Sequence, residues 1–329
     1  MGGRTAARRR RDATAVDGLL LLNKPAGMTS NQALQRVKRL LGASKAGHTG
    51  SLDPAATGML PLCFGEATKV CAYLLDADKT YRVVARLGEA TDTGDADGVV
   101  TATAAVPGLE RAEWERIVAG FVGDIRQVPP MYSALRKDGK RLYELARKGE
   151  TVEREARPVT IHGIDLLEAR GSRLVFRVRC SKGTYVRTLV EDIAAAAGTV
   201  AHTAGLHREA VGGFRAEDML DLREAEEAAG GGPDALRERL MPPDAALAGW
   251  PSCTVGRADE ARFCSGQAVA AGGAGEAGGG LVRVYGEAGR FLGIGEETGA
   301  GEVRPRRIFL PADAAGEDPG RRNPDAEKA

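Results

Sequence analysis

One carboxylate stands alone in GHTGSLDPAATGML (Gly47–Leu60), a stretch with one histidine, three glycines and one proline. Asp53 there has three uses open to it: to cap a turn before Pro54, to hold a metal ion, or to act on a substrate as nucleophile or base. The metal use finds no support. Cys63, Cys71, Cys180, Cys253 and Cys264 are scattered without a C-x-x-C pair, His202 and His207 stand five apart, and no H-E-x-x-H occurs. TDTGDADG lacks the spacing and closing glutamate of a calcium loop and reads as a polar hairpin turn. Of the other chemistry-bearing side chains, Tyr81 in KTYRV falls on the apolar side of an alternating strand, where a core tyrosine is the plain reading. Arg187 in KGTYVRT is four residues from Glu191, where a helix-surface pair worth ~0.2–0.5 kcal/mol is the plain reading.

The elements that must position these residues are legible from period and punctuation. GLLLLNKPAGMTS predicts a short buried strand, a turn over residues 24–27, and a helix opened by a Thr29/Gln32 capping box. Ala33, Leu34, Val37, Leu40 and Leu41 continue that helix, and Gly42 stops it. GMLPLCFG predicts a strand and EATKVCAYLL a helix. Tyr81, Val83, Ala85 and Leu87 share one strand face. Trp114, Ile117, Val118 and Phe121 share a helix face. VPPMYSALRKDGKRLYELARKGE opens on a Pro-Pro brake and ends in a short helix from about Arg141 to Lys148. RLVFRVRCSKGTYVRTLVEDIAAAAG reads as strand, turn and helix, ended by Gly198. Strands and helices mix without a βαβ rhythm, so the expected class is α+β.

The chain has 329 residues, 43% hydrophobic and 28% charged, with a formal charge of +1. That suits a globular, reduced, cytoplasmic protein without a membrane span. The basic start lacks the apolar core of a secretory signal and reads as a disordered arm over 1–16. Positive charge concentrates over 126–157, in Arg126, Arg136, Lys137, Lys140, Arg141, Arg147, Lys148, Arg154 and Arg157, a surface able to grip a phosphate backbone. From about Pro251 to Leu310 short strands and turns suggest a small β-rich domain. AGGAGEAGGG (271–280) reads as a flexible loop, and 311–329 as a disordered tail.

Taken together, NKPAGMTS, GHTGSLDPAATGML, KTYRV, RCSKGTYVRTLVEDI and the basic insertion resemble, in order and wording, the tRNA pseudouridine-55 synthases of the TruB family. The resemblance covers roughly 17–215. It implies a mixed, largely antiparallel sheet with flanking helices in a catalytic domain over 17–248. It also implies an RNA-clamping insertion at about 126–157 and a PUA-like RNA-binding domain over 249–310. The implied reaction turns uridine into pseudouridine in the tRNA T-arm after the base is flipped out, without cofactor, metal or obligatory protein partner, in a monomer. Asp53 would act on the nucleoside. Arg187 would pair with it, fixing its orientation and lowering its pKa by ~1–3 units. Tyr81 would stack on the base and move the C5 proton.

His48 would hold the rearranged loop, and Lys24 would support the catalytic loop or meet a phosphate. Lys182, Thr184 and Tyr185 would shape the pocket floor, Leu206 would touch the base, and Lys137, Lys140, Arg141, Arg147 and Lys148 would contact phosphates. One segment departs from the family's L-R-R-T: here Leu206-His207-Arg208-Glu209 loses one positive charge and gains a negative one, which is expected to weaken phosphate contact. Two rival functions remain open to the sequence: the catalytic subunit of a guide-RNA pseudouridylation particle, and a non-enzymatic helper of tRNA folding.

Overall fold

A computed structural model of the chain describes residues 16–133, 135–137, 139–272, 280–298 and 301–309, with backbone alone at 136, 137, 141 and 233. The expected basic arm up to residue 15, the polar tail and most of the glycine-rich loop lie outside the described residues; Val16, expected in that arm, is instead buried in the core. The chain opens with β1 (Gly18–Lys24), α1 (Ser30–Leu41), β2 (Ala46–His48) and β3 (Thr57–Phe64). Thr29 and Gln32 close the expected capping box, and Gly42 ends α1 at φ +65°. EATKVCAYLL is not one helix: a 3-10 turn over Gly65–Val70 precedes α2 (Cys71–Asp76). Next come β4 (Lys79–Leu87), the ribbon β5 (Glu89–Thr91) with β6 (Val100–Thr103), α3 (Arg111–Ala119) and β7 (Gly123–Gln127).

The basic insertion carries a small hairpin that the sequence did not announce, β8 (Arg136–Lys137) with β9 (Lys140–Arg141), and then α4 (Leu142–Ala146). The chain returns through β10 (Arg157–Arg170), β11 (Arg173–Cys180), α5 (Val186–Ala196), β12 (Ala201–Val211), β13 (Leu220–Asp221), α6 (Leu222–Gly230) and α7 (Pro233–Arg237). A second unit holds β14 (Ser252–Val255), α8 (Arg257–Cys264), β15 (Val269–Ala270), β16 (Leu281–Gly286), β17 (Phe291–Glu297) and β18 (Glu302–Ile308).

The large sheet runs β13-β1-β3-β12-β4-β11-β10-β7, with β2 on β3; the small one runs β14-β16-β17-β18-β15. The large sheet is antiparallel except at β1–β13 and β3–β12, as an α+β fold allows. The unbroken apolar run of β1 has a structural reason: both faces are covered. Leu20 and Leu22 meet α1 residues Leu34, Val37 and Leu41, whereas Leu19 and Leu21 share a core with Leu247, Ile294 and Phe309 of the C-terminal part. On the far half, Trp114 of α3 and Leu189 and Ile193 of α5 cover Val83, Ala85, Leu174 and Phe176.

The parallel β3–β12 step brings two backbones close together at a glycine. Gly58 faces Arg208 in register, at φ +97°, and a Cβ there would stand 2.3 Å from the Arg208 carbonyl oxygen. Next to it β12 carries a bulge between Arg208 and Ala210, a local kink of the kind that re-aims a side chain. Gly58→Ala is expected to destabilise the protein by roughly 2–4 kcal/mol through left-handed strain and backbone overlap, read as a lower urea midpoint at unchanged m-value.

Candidate active site

β4, β11 and β12 line a cleft of about 300 Å3, roofed by the start of α5 and by the loop between β2 and β3. Asp53, Tyr81, Thr184, Tyr185, Arg187 and Leu206 all line it. Four segments far apart in sequence are thus brought to one place by strand order alone: Tyr81 lies on β4 between Val178 of β11 and Arg208 of β12.

Arg187 is the hub. It is the second residue of α5 and its side chain is only 8% exposed. Nη2 lies 3.1 Å from Asp53 Oδ2, and Nη1 lies 3.3 Å from Asp95 Oδ2. Nη1 also donates to the Thr93 carbonyl and Nη2 to the Tyr132 carbonyl, both at 2.7 Å. The guanidinium points inward, away from the helix-surface pairing with Glu191. Asp95 was not legible as a site residue. It sits in TDTGDADG, where Thr93 Oγ1 donates to Asp95 Oδ1 at 2.6 Å and the Asp97 amide donates to the same oxygen at 3.2 Å. The available signal was an acid-rich loop without calcium spacing, which needs a cation from elsewhere.

The Asp53 loop is tied on three sides. Ser30 Oγ accepts from the Leu52 amide at 2.8 Å and donates to the Leu52 carbonyl at 3.1 Å. The Gly27 amide and Lys24 Nζ both donate to the Pro54 carbonyl, at 2.9 and 3.2 Å. Arg208 Nη2 donates to the Gly50 carbonyl at 2.7 Å, and its Nε to the Met59 carbonyl at 2.6 Å. NKPAGMTS therefore accompanies GHTGSLDPAATGML because one segment holds the other.

One expectation about charge needs correction. Asp53 does not have its pKa lowered overall: burial raises it, Arg187 opposes that rise, and Asp95 adds to it. The Asp53 side chain is 47% exposed, so water reaches it from the cleft mouth while protein atoms crowd its other sides. Lys24 supports the Asp53 loop, one of its two expected uses. It is fully buried, and Nζ also donates to the Pro25 and Met28 carbonyls at 2.8 and 2.7 Å. Burial lowers its pKa to about 8, with Asp53 working the other way and Arg208 lowering it further. Three carbonyl acceptors call for all three ammonium protons, so Lys24 is a cation at neutral pH.

Other expected residues divide. Lys182 does not shape the floor: it pairs with Asp76 at 2.8 Å on the exposed rim. His48 lies in β2 paired with β3, outside the cleft lining; its Nδ1 is buried without a hydrogen-bond partner, and burial lowers its pKa. Lys140, Arg147 and Lys148 are exposed on the insertion, whereas the side chains of Lys137 and Arg141 lie outside the described residues. The departures near β12 are absorbed internally. Glu209 pairs with Arg177 at 2.7 Å, and His207 Nδ1 is 2.8 Å from Thr57 Oγ1. Arg208 itself, 1% exposed, was missed because a buried arginine looks like a surface one in sequence. Among the described residues no group of His, Cys, Asp or Glu could hold a metal ion, and no helix is long and apolar enough to cross a membrane.

The chain is similar to known proteins along most of its length. Residues 38–186 match the family described as TruB family pseudouridylate synthase (N terminal domain). Residues 187–248 match the tRNA pseudouridylate synthase B C-terminal domain, and 251–309 the C-terminal domain described as Pseudouridine synthase II TruB. A tRNA pseudouridine synthase B of Pseudomonas putida (strain GB-1) is 52% identical over 295 residues, 89% of this chain and 96% of the relative. That of Chromohalobacter salexigens is 50% identical over 309 residues, 94% and 99% of the two chains. Among solved structures, one from a Cbf5-Nop10-Gar1 complex superposes with a TM-score of 0.71 at 25% identity, covering 91% of this chain and 87% of that one.

Lys24 gives a stability prediction with a definite sign. Between about pH 8 and 10.5 the unfolded chain holds a proton on Lys24 that the folded chain has released, so unfolding free energy rises with pH across that window. From pH ~7.5 to ~9.5 the wild type should gain about 1–2 kcal/mol on Lys24→Met in urea titrations.

Proposed function

Since the chain belongs to the TruB family of pseudouridylate synthases, we propose that it isomerises uridine to pseudouridine in tRNA, at position 55 of the T-arm. The observation that carries this reading is an arginine-held carboxylate, Asp53, at one cleft with Tyr81 and Leu206. The C1′–N1 bond breaks, C1′ bonds to C5 instead, C5 gives up its proton and N1 gains one. Nothing is oxidised or reduced.

Geometry supports the assignment of roles. At about 300 Å3 the cleft is at the small end of ligand sites, room for one base and not for a duplex. A base reaching Asp53 has therefore left its stack. Asp53 acts on the nucleoside, at C6, at C1′ or on a ribose proton; all three need the carboxylate ionised and aimed, which the Arg187 Nη2 contact to Oδ2 favours. Tyr81 offers a ring face to the base; burial raises the pKa of its phenol, so the neutral hydroxyl takes the C5 proton only as it passes its own to another acceptor. Lys140, Arg147 and Lys148 on the insertion suit phosphate contact, which fixes position and not sequence. The catalytic domain over 17–248 and a PUA-like unit over 249–310 would share the tRNA.

The 50–52% identity to enzymes that bear the name tRNA pseudouridine synthase B supports action on tRNA over service in a guide-RNA particle, where the likeness is at 25%. The test uses tRNA tritiated at uridine C5. Asp53→Asn should release tritium at least about 1,000-fold more slowly than wild type, with tRNA affinity within about threefold. Release at the wild-type rate would remove Asp53 from the chemistry.

A further inference from the structure

Behind Tyr81 the cleft wall holds two cations to which the reading above gives no part in the chemistry. Lys79 and Arg208 both line the cleft, at 7% and 1% exposure. They flank Gly50, where a Cβ would stand 3.3 Å from Arg208 Nη1 and 3.6 Å from Lys79 Cε. Lys79 Nζ donates to the Leu75 and Ala77 carbonyls at 2.7 and 2.6 Å, and Arg208 donates to the Met59 and Gly50 carbonyls and hydrogen-bonds the Tyr81 side chain. Among the described residues neither has a carboxylate within ion-pair distance. Asp76 and Asp78 are engaged by Lys182 and His162, at 2.8 and 3.1 Å. Cys180, whose thiol donates to the Lys79 carbonyl at 3.8 Å, is pushed up to about 11 by burial and stays neutral. Two buried cations kept together without an anion are a costly arrangement unless a negative charge arrives.

The reaction supplies one. When the C1′–N1 bond breaks, its electron pair leaves with the base and spreads over N1, O2 and O4. The charge persists until C5 bonds to C1′, which uses up that pair; loss of the C5 proton and gain of one at N1 then complete the neutral product. We propose that Lys79 and Arg208 form a preorganised cationic wall that holds the detached uracil as an anion while it turns, an inference that rests on the pseudouridine synthase reading. Arg208 is well placed for this, its guanidinium carbon 6.0 Å from the centre of the Tyr81 ring on which the base would stack. Fixed charges in a water-poor cleft stabilise such an anion far more than the same charges in water.

The titration of Lys79 separates this role from a structural one. Its charged or titratable neighbours are Arg208 from β12, Cys180 from β11, and Asp76 and Asp78 before β4, with Lys182 and His162 beyond them. Burial first, and Arg208 second, lower Lys79 to about 8, against the pull of Cys180, Asp76 and Asp78. Above that pH the neutral amine still has two N–H groups for its two carbonyls, so the structural cap survives while the charge is lost.

The experiment measures kcat/KM, which reports the free enzyme, on a tRNA transcript from pH ~6.5 to ~9.5, with tRNA affinity measured alongside. Wild type should lose rate through a midpoint near 8. Lys79→Arg should lack that limb and stay within about fivefold of wild type at neutral pH. Lys79→Met should be about 10–100-fold slower at neutral pH with affinity within threefold. A limb near 8 that persists in Lys79→Arg overturns the proposal, since it then belongs to Lys24 or another group. A Lys79→Met rate within twofold of wild type overturns it as well. If Lys79→Met fails to fold, the Lys79→Arg profile decides alone. Wild type that makes no pseudouridine at any pH would instead overturn the enzyme reading itself.

Discussion

A buried guanidinium cannot be left with unmet donors, and that constraint organises this molecule around Arg187. Its fork is met by Asp53, by Asp95 and by the carbonyls of Thr93 and Tyr132. Those partners come from the β2–β3 loop, the β5–β6 ribbon and the root of the basic insertion. A single side chain therefore fixes three loops relative to α5. Because the root of the insertion is among them, the segment suited to RNA is tied directly to the arginine that holds the carboxylate.

The supports below this hub follow one pattern. Lys24, Lys79 and Arg208 are buried cations satisfied mainly by backbone carbonyls. Carbonyl partners hold a loop's shape without neutralising the charge beside it. The consequence is a cleft whose surroundings are positive while its one accessible carboxylate feels opposed influences, burial raising its pKa and Arg187 opposing the rise. An ionised Asp53 depends on that arginine, and the cost of burying the cations is offset when an anionic substrate or intermediate occupies the cleft.

Much of this was legible in the sequence. The α1 cap at Thr29, the stop at Gly42, the face of β4 and the strand-turn-helix carrying Arg187 all obey local rules, so local reading found them. The pairing of Asp53 with Arg187 came from resemblance, not from spacing. What stayed hidden depends on tertiary position. The burial of Lys24 and Arg208 was not legible, because no local rule marks a buried cation whose partners are carbonyls in another segment. Asp95 read as turn chemistry because its partner lies 92 residues away on α5. The drop expected for the Asp53 pKa weighed the arginine alone, whereas desolvation and a second carboxylate act on the same group.

The most direct test of the account is the single-turnover rate of Arg187→Lys on tRNA, with affinity measured in parallel. Lysine keeps the charge but cannot meet two carboxylates and two carbonyls at once. The account predicts a fall of about 100-fold or more in rate, with affinity changed by less than about threefold. A rate within a few-fold of wild type would show that charge alone suffices, and that the geometry held by Arg187 is not what makes Asp53 reactive.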